Sequence, residues 1–318
     1  MKSSAESWAL TRQLKQQAVA LGADLVGVAP VERFETPPFD EDKVHGYPPT
    51  GYEPSELLLG TRSIIVLGLG QLTGVMESAV ADAETTYAFG NFGYVHLNRT
   101  MNNITYALAR WLEARSWTTL PLGAALAARF DVTKQHGEGA TAPLYGIFSV
   151  KRAAVLAGVG RRAKNGLVAT LVYGTKTRLG VLLTKAPLEG DPILEGSPCP
   201  PNCRICVDVC PMEAITPEGR VDHVRCFSDC GRRGATFQEA IQNMQQRYSS
   251  NDPSDDYLAG EHYAIDSFGN RRCRVACMAL CPLGENPSPN LLQRSRDWGK
   301  KHPKVNLELW HRPAQHSG

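Results

Sequence analysis

At 318 residues the chain can bury a full core and is expected to hold two domains. A net charge of +2 exerts no global pull on nucleic acid, and a hydrophobic content of 42% is ordinary for a globular protein. No apolar run approaches the roughly 18 residues that a membrane span needs, so no membrane partner is expected.

The N-terminal stretch MKSSAESWALTRQLKQQ is polar, follows a helical pattern and has no twin-arginine motif. It does not read as a signal peptide, and a cytoplasmic location with reduced thiols is expected. Ser3 and Glu6 suit a capping box, Leu10, Leu14, Ala18 and Leu21 form an apolar stripe, and Gly22 suits a C-cap. Asp24–Ala29 reads as a buried strand, 30–60 as a long Pro- and Gly-rich surface loop, and Ile64–Leu69 as a second strand. That strand runs into GLGQLTG, with Gly68, Gly70 and Gly74. The spacing is one residue too long for a dinucleotide fingerprint, and Asp82 and Glu84 come too early for its ribose ligand. A strand-end turn fits better.

YAFGNFGYV at 87–95 reads as an aromatic, glycine-containing loop. A helix follows, with Leu97, Met101, Ile104, Leu108 and Trp111 at steps of three and four. Leu167–Val172 and Arg178–Thr184 flank YGTKT as a β-hairpin, and 186–198 reads as a linker. Phe237–Tyr248 reads as helical and 251–256 as a polar loop, and the tail after Pro282 is expected to wrap the surface.

The most specific chemistry lies after the linker. Cys199, Cys203, Cys206 and Cys210 fall close together, with Pro211 behind the last. The bacterial ferredoxin run is C-x2-C-x2-C-x3-C-P, whose fourth thiolate reaches across to a second cluster. Here the first gap is one residue longer, and the rest matches. Cys273, Cys277 and Cys281 form a second run, again ending in proline at Pro282. Two such runs point to two [4Fe–4S] clusters with exchanged ligands. Structural zinc is the open alternative for thiols at this spacing, though zinc ribbons do not call for Cys-Pro endings. Disulfides are disfavoured in a long chain of this type. Cys226 and Cys230 follow the first run and are further candidates.

Residues 157–166, AGVGRRAKNG, resemble the AGLGxxGKN segment of epoxyqueuosine reductases and the AGLGExGRxG segment of reductive dehalogenases. The likeness continues through LVATLVYGTKTRLGVLLTKAPLEGDP and covers roughly 8–285. It implies an α+β chain: a nitroreductase-like α/β cobalamin-binding domain at 1–190, a bacterial ferredoxin-like double-cluster module at 191–290 and a tail at 291–318. It also implies that Cys199, Cys203, Cys206 and Cys281 hold one cluster, and Cys210, Cys226, Cys273 and Cys277 the other. Cys230 is left over and is placed to replace Cys226. The function implied is a cobalamin-dependent iron–sulfur reductase. A ferredoxin- or flavodoxin-type protein would donate electrons to it, and a modified tRNA nucleoside or a small molecule would be its substrate. An electron carrier serving a partner's corrinoid or flavin is the alternative, as is FMN in place of cobalamin.

The sequence departs from the family pattern in two respects. Residues 140–152, ATAPLYGIFSVKR, contain no acid where epoxyqueuosine reductases carry a proton-donating aspartate. The helical repeats that many of those enzymes carry are also missing from the 318 residues, which removes part of the expected tRNA surface. Tyr94 and His96, just ahead of a core helix, are therefore the candidate acids, with ordinary packing as the competing reading. His262, Tyr263 and Asp266 are secondary candidates. Gly158, Gly160 and Gly166 would let backbone N–H groups approach a large cofactor, and Arg162, Lys164 and Asn165 would bind its rim. A tight turn is the competing reading for AGVG, and a solvated face for the basic cluster of Arg161, Arg162 and Lys164.

Overall fold

The computed structural model describes residues 4–35, 52–81, 88–124, 148–222, 225–226, 275–285 and 287–301. Four strands form its main sheet: β1 (Leu25–Pro30), β2 (Ser63–Gly70), β3 (Thr119–Gly123) and, after two short strands, β6 (Thr177–Thr184). The order is β1-β2-β6-β3, and every pairing is antiparallel.

The period-two pattern of β2 and β6 organises the core. Ile65, Leu67 and Leu182 point to one face, while Ile64, Val66, Val181 and Leu183 point to the other. Helices α1 (Ser4–Ala20) and α5 (Leu97–Glu113) cover the first face with Leu14, Ala18, Met101, Ile104, Leu108 and Leu112. Helices α2 (Val31–Glu35) and α6 (Val150–Leu156) cover the second with Phe34, Ala153, Ala154 and Leu156. Each buried Leu or Ile contributes about 1.5–3 kcal/mol to this three-layer core. The first helix ends as its sequence suggests: Gly22 has a φ of 104°, and the Ala23 N–H donates to the Ala18 carbonyl at 3.0 Å.

A third apolar cluster lies beyond the sheet. It joins Val75, Met76 and Ala79 of α4 (Thr73–Ala79) to Phe89, Val95, Val209, Ala276, Ala279 and Leu280. Leu291 and Trp298 of helix α9 (Pro289–Lys301) complete it.

Several expectations change. The stretch read as an aromatic loop is a π-helix, Phe89–His96, which runs into α5 without a break. The proposed hairpin does not form. β5 (Val168–Ala169) pairs instead with β4 (Arg161–Arg162), and β6 enters the main sheet between β2 and β3. Its alternating residues need two faces to bury, which a two-stranded hairpin cannot offer. Helices α2 and α3 (Pro54–Leu57) occupy parts of the supposed 30–60 loop. The tail is not only a surface wrap, because Trp298 is buried and its Nε1 donates to the Val209 carbonyl at 3.1 Å. The supposed linker is tied down, with the Val28 N–H donating to Asp191 Oδ2 at 2.9 Å and Lys15 paired with the same carboxylate. Ser3, Asp82, Glu84, 140–147, Phe237–Tyr248 and 251–256 lie outside the described residues.

Candidate functional site

The first cysteine run flanks α7 (Ile205–Asp208), and the second includes α8 (Ala276–Ala279). Both helices are a single turn, and they pack against each other through Ile205, Val209, Ala276 and Ala279. Cys206 and Cys210 are buried, Cys199, Cys203, Cys277 and Cys281 half-buried, and Cys226 exposed. No disulfide joins the described cysteines. Among the described residues, no three His, Cys, Asp or Glu side chains close around a single metal-sized point.

The thiols nevertheless gather in groups. Burial pushes the Cys206 thiol up to about 12, and Cys281, Cys199 and Cys203 add their repulsion, in that order. Cys277 is also pushed well up by burial, then by Cys226, Cys210, Cys206 and Cys281. One neighbourhood thus holds Cys199, Cys203, Cys206 and Cys281, and the adjoining one holds Cys210, Cys226 and Cys277. Thiols crowded in this way could be held as thiolates by a cationic metal centre, which would offset their mutual repulsion. Cys273 and Cys230 lie outside the described residues.

The segment at 158–166 is packed against protein. Gly158 has a φ of 68°, and a Cβ there would meet the Pro192 carbonyl oxygen at 2.2 Å. A Cβ on Gly160 would meet the Ala169 carbonyl oxygen at 2.5 Å. Arg162 is buried and donates to the Gly166 carbonyl at 3.0 Å. The Asn165 side-chain amide donates to the Cys277 carbonyl at 2.8 Å. The Lys164 N–H points at Cys199 Sγ at 3.4 Å, and its Nζ reaches the carbonyl of Cys203 at 3.1 Å. These contacts dock the sheet-bearing part of the chain onto the cysteine segments.

A second concentration of chemistry surrounds the C-terminal end of β2. Half-buried Tyr94 lies on the π-helix, and the Arg178 guanidinium sits 4.4 Å from its ring centroid. Asn98 orients Arg178 through a hydrogen bond to its Nε. Exposed His96 stacks on Phe92 with ring centroids 5.2 Å apart. Gln71 fastens the π-helix by donating from Nε2 to the Gly93 carbonyl at 2.8 Å. His262, Tyr263 and Asp266 lie outside the described residues.

Lys176 connects the two areas. Its Nζ donates to the carbonyls of Cys281 at 2.8 Å and Leu283 at 3.1 Å, and its own carbonyl accepts the Gln71 N–H at 2.9 Å. Burial lowers its pKa, and the Cys281 thiolate opposes that shift. Sequence reasoning missed Lys176, Arg178 and Asn98. The available signal was TKTR at the head of an otherwise apolar strand, where cations have no packing role.

No family model matches the chain. It is 29% identical over 241 residues to an epoxyqueuosine reductase of Staphylococcus aureus, covering 69% of this chain and 56% of that protein. An epoxyqueuosine reductase of Gloeobacter violaceus is 27% identical over 252 residues, covering 73% of this chain and 70% of the relative. The chain thus spans little more than half the length of the Staphylococcus relative. Among solved structures, an epoxyqueuosine reductase with an epoxyqueuosine-modified tRNA-Tyr stem loop matches with a TM-score of 0.52 at 19% identity, covering 89% of this chain and 68% of that one. A catabolic reductive dehalogenase in complex with 3-bromo-4-hydroxybenzoic acid matches with a TM-score of 0.53 at 17% identity, covering 92% of this chain and 34% of that one. Over the greater part of its length the chain is similar in sequence to epoxyqueuosine reductases, and it shares its fold with them and with a reductive dehalogenase.

Proposed function

We propose that this chain is a cobalamin-dependent iron–sulfur reductase. The observation that carries this reading is the division of the thiols into two adjoining neighbourhoods. Cys199, Cys203, Cys206 and Cys281 would hold one [4Fe–4S] cluster, and Cys210, Cys226, Cys277 and Cys273 the other. Cys230 is left out. The domain division proposed is a cofactor-binding part at 1–190, a double-cluster module at 191–290 and a tail at 291–318.

The corrinoid would lie at the end of β2, facing the π-helix. Leu72, Phe92, Leu171 and Val172 are exposed there, on segments linked by the Gln71 contacts to Gly93 and Lys176. Exposed apolar side chains on linked segments suit a broad ligand with apolar faces. When bound, the corrinoid supplies the low-potential reducing chemistry. The chain's own residues position the substrate and supply the proton. Tyr94 would donate it, with the Arg178 guanidinium 4.4 Å from its ring centroid. His96 is the second candidate acid.

Epoxyqueuosine in tRNA is the first substrate to test, since the relatives named above are called epoxyqueuosine reductases. Anaerobically purified protein should show corrinoid bands beside broad iron–sulfur absorption. Adding a stem loop that carries epoxyqueuosine should then change the spectrum of the reduced corrinoid, with a halogenated phenol as the comparison. Clusters without corrinoid after reconstitution would make the chain an electron carrier, and flavin bands would replace cobalamin with FMN.

A further inference from the structure

Two lysines from the sheet-bearing part of the chain reach the segments that carry one cysteine set. Lys164 offers its backbone N–H to Cys199 Sγ at 3.4 Å and its ammonium to the carbonyls of Cys203 at 3.1 Å and Pro201 at 3.3 Å. Lys176 sets its ammonium on the carbonyls of Cys281 at 2.8 Å and Leu283 at 3.1 Å. The other set has neutral contacts of the same kind. Asn165 donates to the Cys277 carbonyl at 2.8 Å, Thr175 to the Met278 carbonyl at 3.3 Å, and the Ala214 N–H to Cys210 Sγ at 3.4 Å. Among the described residues, Arg225 beside Cys226 lies half in solvent and pairs with Asp222 at 3.3 Å.

A cation beside a thiolate-ligated centre favours the more negative redox state, which is the reduced one. Hydrogen bonds to the sulfurs and charge around them are the protein's levers on such a potential. The two lysines therefore act on the potential of the Cys199, Cys203, Cys206 and Cys281 set in one direction.

We propose that Lys176, assisted by Lys164, raises the reduction potential of the cluster on Cys199, Cys203, Cys206 and Cys281. The proposal rests on the iron–sulfur reading given above. An electron from a low-potential one-electron donor would then be held more readily at that cluster. Lys176 also ties this segment to the π-helix, because its carbonyl accepts the Gln71 N–H at 2.9 Å and Gln71 holds the Gly93 carbonyl at 2.8 Å. The transfer is electron only: the donor loses one electron, the thiolate-bound centre gains it, and no bond forms or breaks. The Lys176 ammonium offsets the added negative charge.

The test is a redox titration, followed by electron paramagnetic resonance, of anaerobically purified parent, Lys176→Met and Lys176→Arg, with titanium(III) citrate as reductant. Iron and sulfide are measured on each sample. The Met variant should keep the parent's iron, and one midpoint should fall by about 59 mV, the equivalent of a tenfold change for a one-electron couple. The other midpoint should stay near the parent value. The Arg variant, which keeps the charge, should titrate like the parent. Lys176→Gln keeps a donor for the Cys281 carbonyl and substitutes for the Met variant if that one does not fold, with the same shift expected. Full iron with both midpoints unmoved, or with both moved equally, overturns the proposal and leaves the iron–sulfur reading standing. A parent protein without iron or labile sulfide overturns both.

Discussion

The sheet and the cysteine region are held together by different forces. β2 is buried along its length except at Gly70, and its side chains meet aliphatic helices on both faces. The cysteine region has two one-turn helices and a small core of its own, built from Cys206, Cys210, Met212, Ala214 and Ile215. Side-chain donors on backbone carbonyls fasten it to the sheet-bearing part: Asn165 on Cys277, Lys164 on Cys203 and Lys176 on Cys281. A region with so many crowded thiols would take part of its rigidity from a group those thiols bind. The sheet would not depend on that group.

The strongest way to break this contrast is to remove a ligand. Cys206→Ala should lose about half of the iron, since one of two [4Fe–4S] centres loses a thiolate. Cys230→Ala should keep all of it. Iron analysis with limited proteolysis reads both results, and in the Cys206 variant new cleavage should fall in the cysteine segments and spare the sheet. Equal iron loss in the two variants would show that the second centre is ligated differently.

Tyr94 stands at the seam between the two regions, packed against the apolar cluster that also receives Cys277. Tyr94→Phe keeps the ring under Arg178 and removes only the hydroxyl. Turnover should fall about 100- to 10,000-fold while iron and corrinoid contents stay level. If turnover stays at the parent rate, the test passes to His96→Gln.

On the sheet side, Leu182→Ala removes a fully buried side chain from between β6 and α5. It should cost about 2–5 kcal/mol in denaturant unfolding and leave iron per folded molecule unchanged. The smallest effect is expected at the fastening itself. Asn165→Ala deletes the hydrogen bond to the Cys277 carbonyl and the one that Asn165 Oδ1 accepts from the Leu167 N–H, and should cost about 1–3 kcal/mol, read as a lower midpoint of thermal unfolding.

The sequence made some of this legible and hid the rest. Leu14 and Ala18, like Met101, Ile104 and Leu108, recur at helical spacing because one face of each helix is buried, so α1 and α5 were readable. The Cys-Pro runs were readable because their spacing is tied to a ligand geometry. The π-helix was not. Gly90 and Gly93 look like loop residues, and nothing local signals that Gln71, some twenty positions earlier, holds the Gly93 carbonyl. β6 was read as a strand but given the wrong partner. Pairing is set by the two faces it must bury, and those faces come from α5 and α6 far along the chain. Lys164 and Asn165 were assigned to a cofactor rim from their type, and in the structure they bind the carbonyls of Cys203 and Cys277. Which partner a polar side chain meets is a tertiary fact, and residue type does not carry it.

The central claim is that the two groups of thiols hold iron–sulfur clusters. Metal and acid-labile sulfide analysis of anaerobically purified protein tests it most directly. Two [4Fe–4S] clusters correspond to about eight iron and about eight sulfide per chain, and that is the expected result. Zinc at stoichiometric level with no labile sulfide would contradict it.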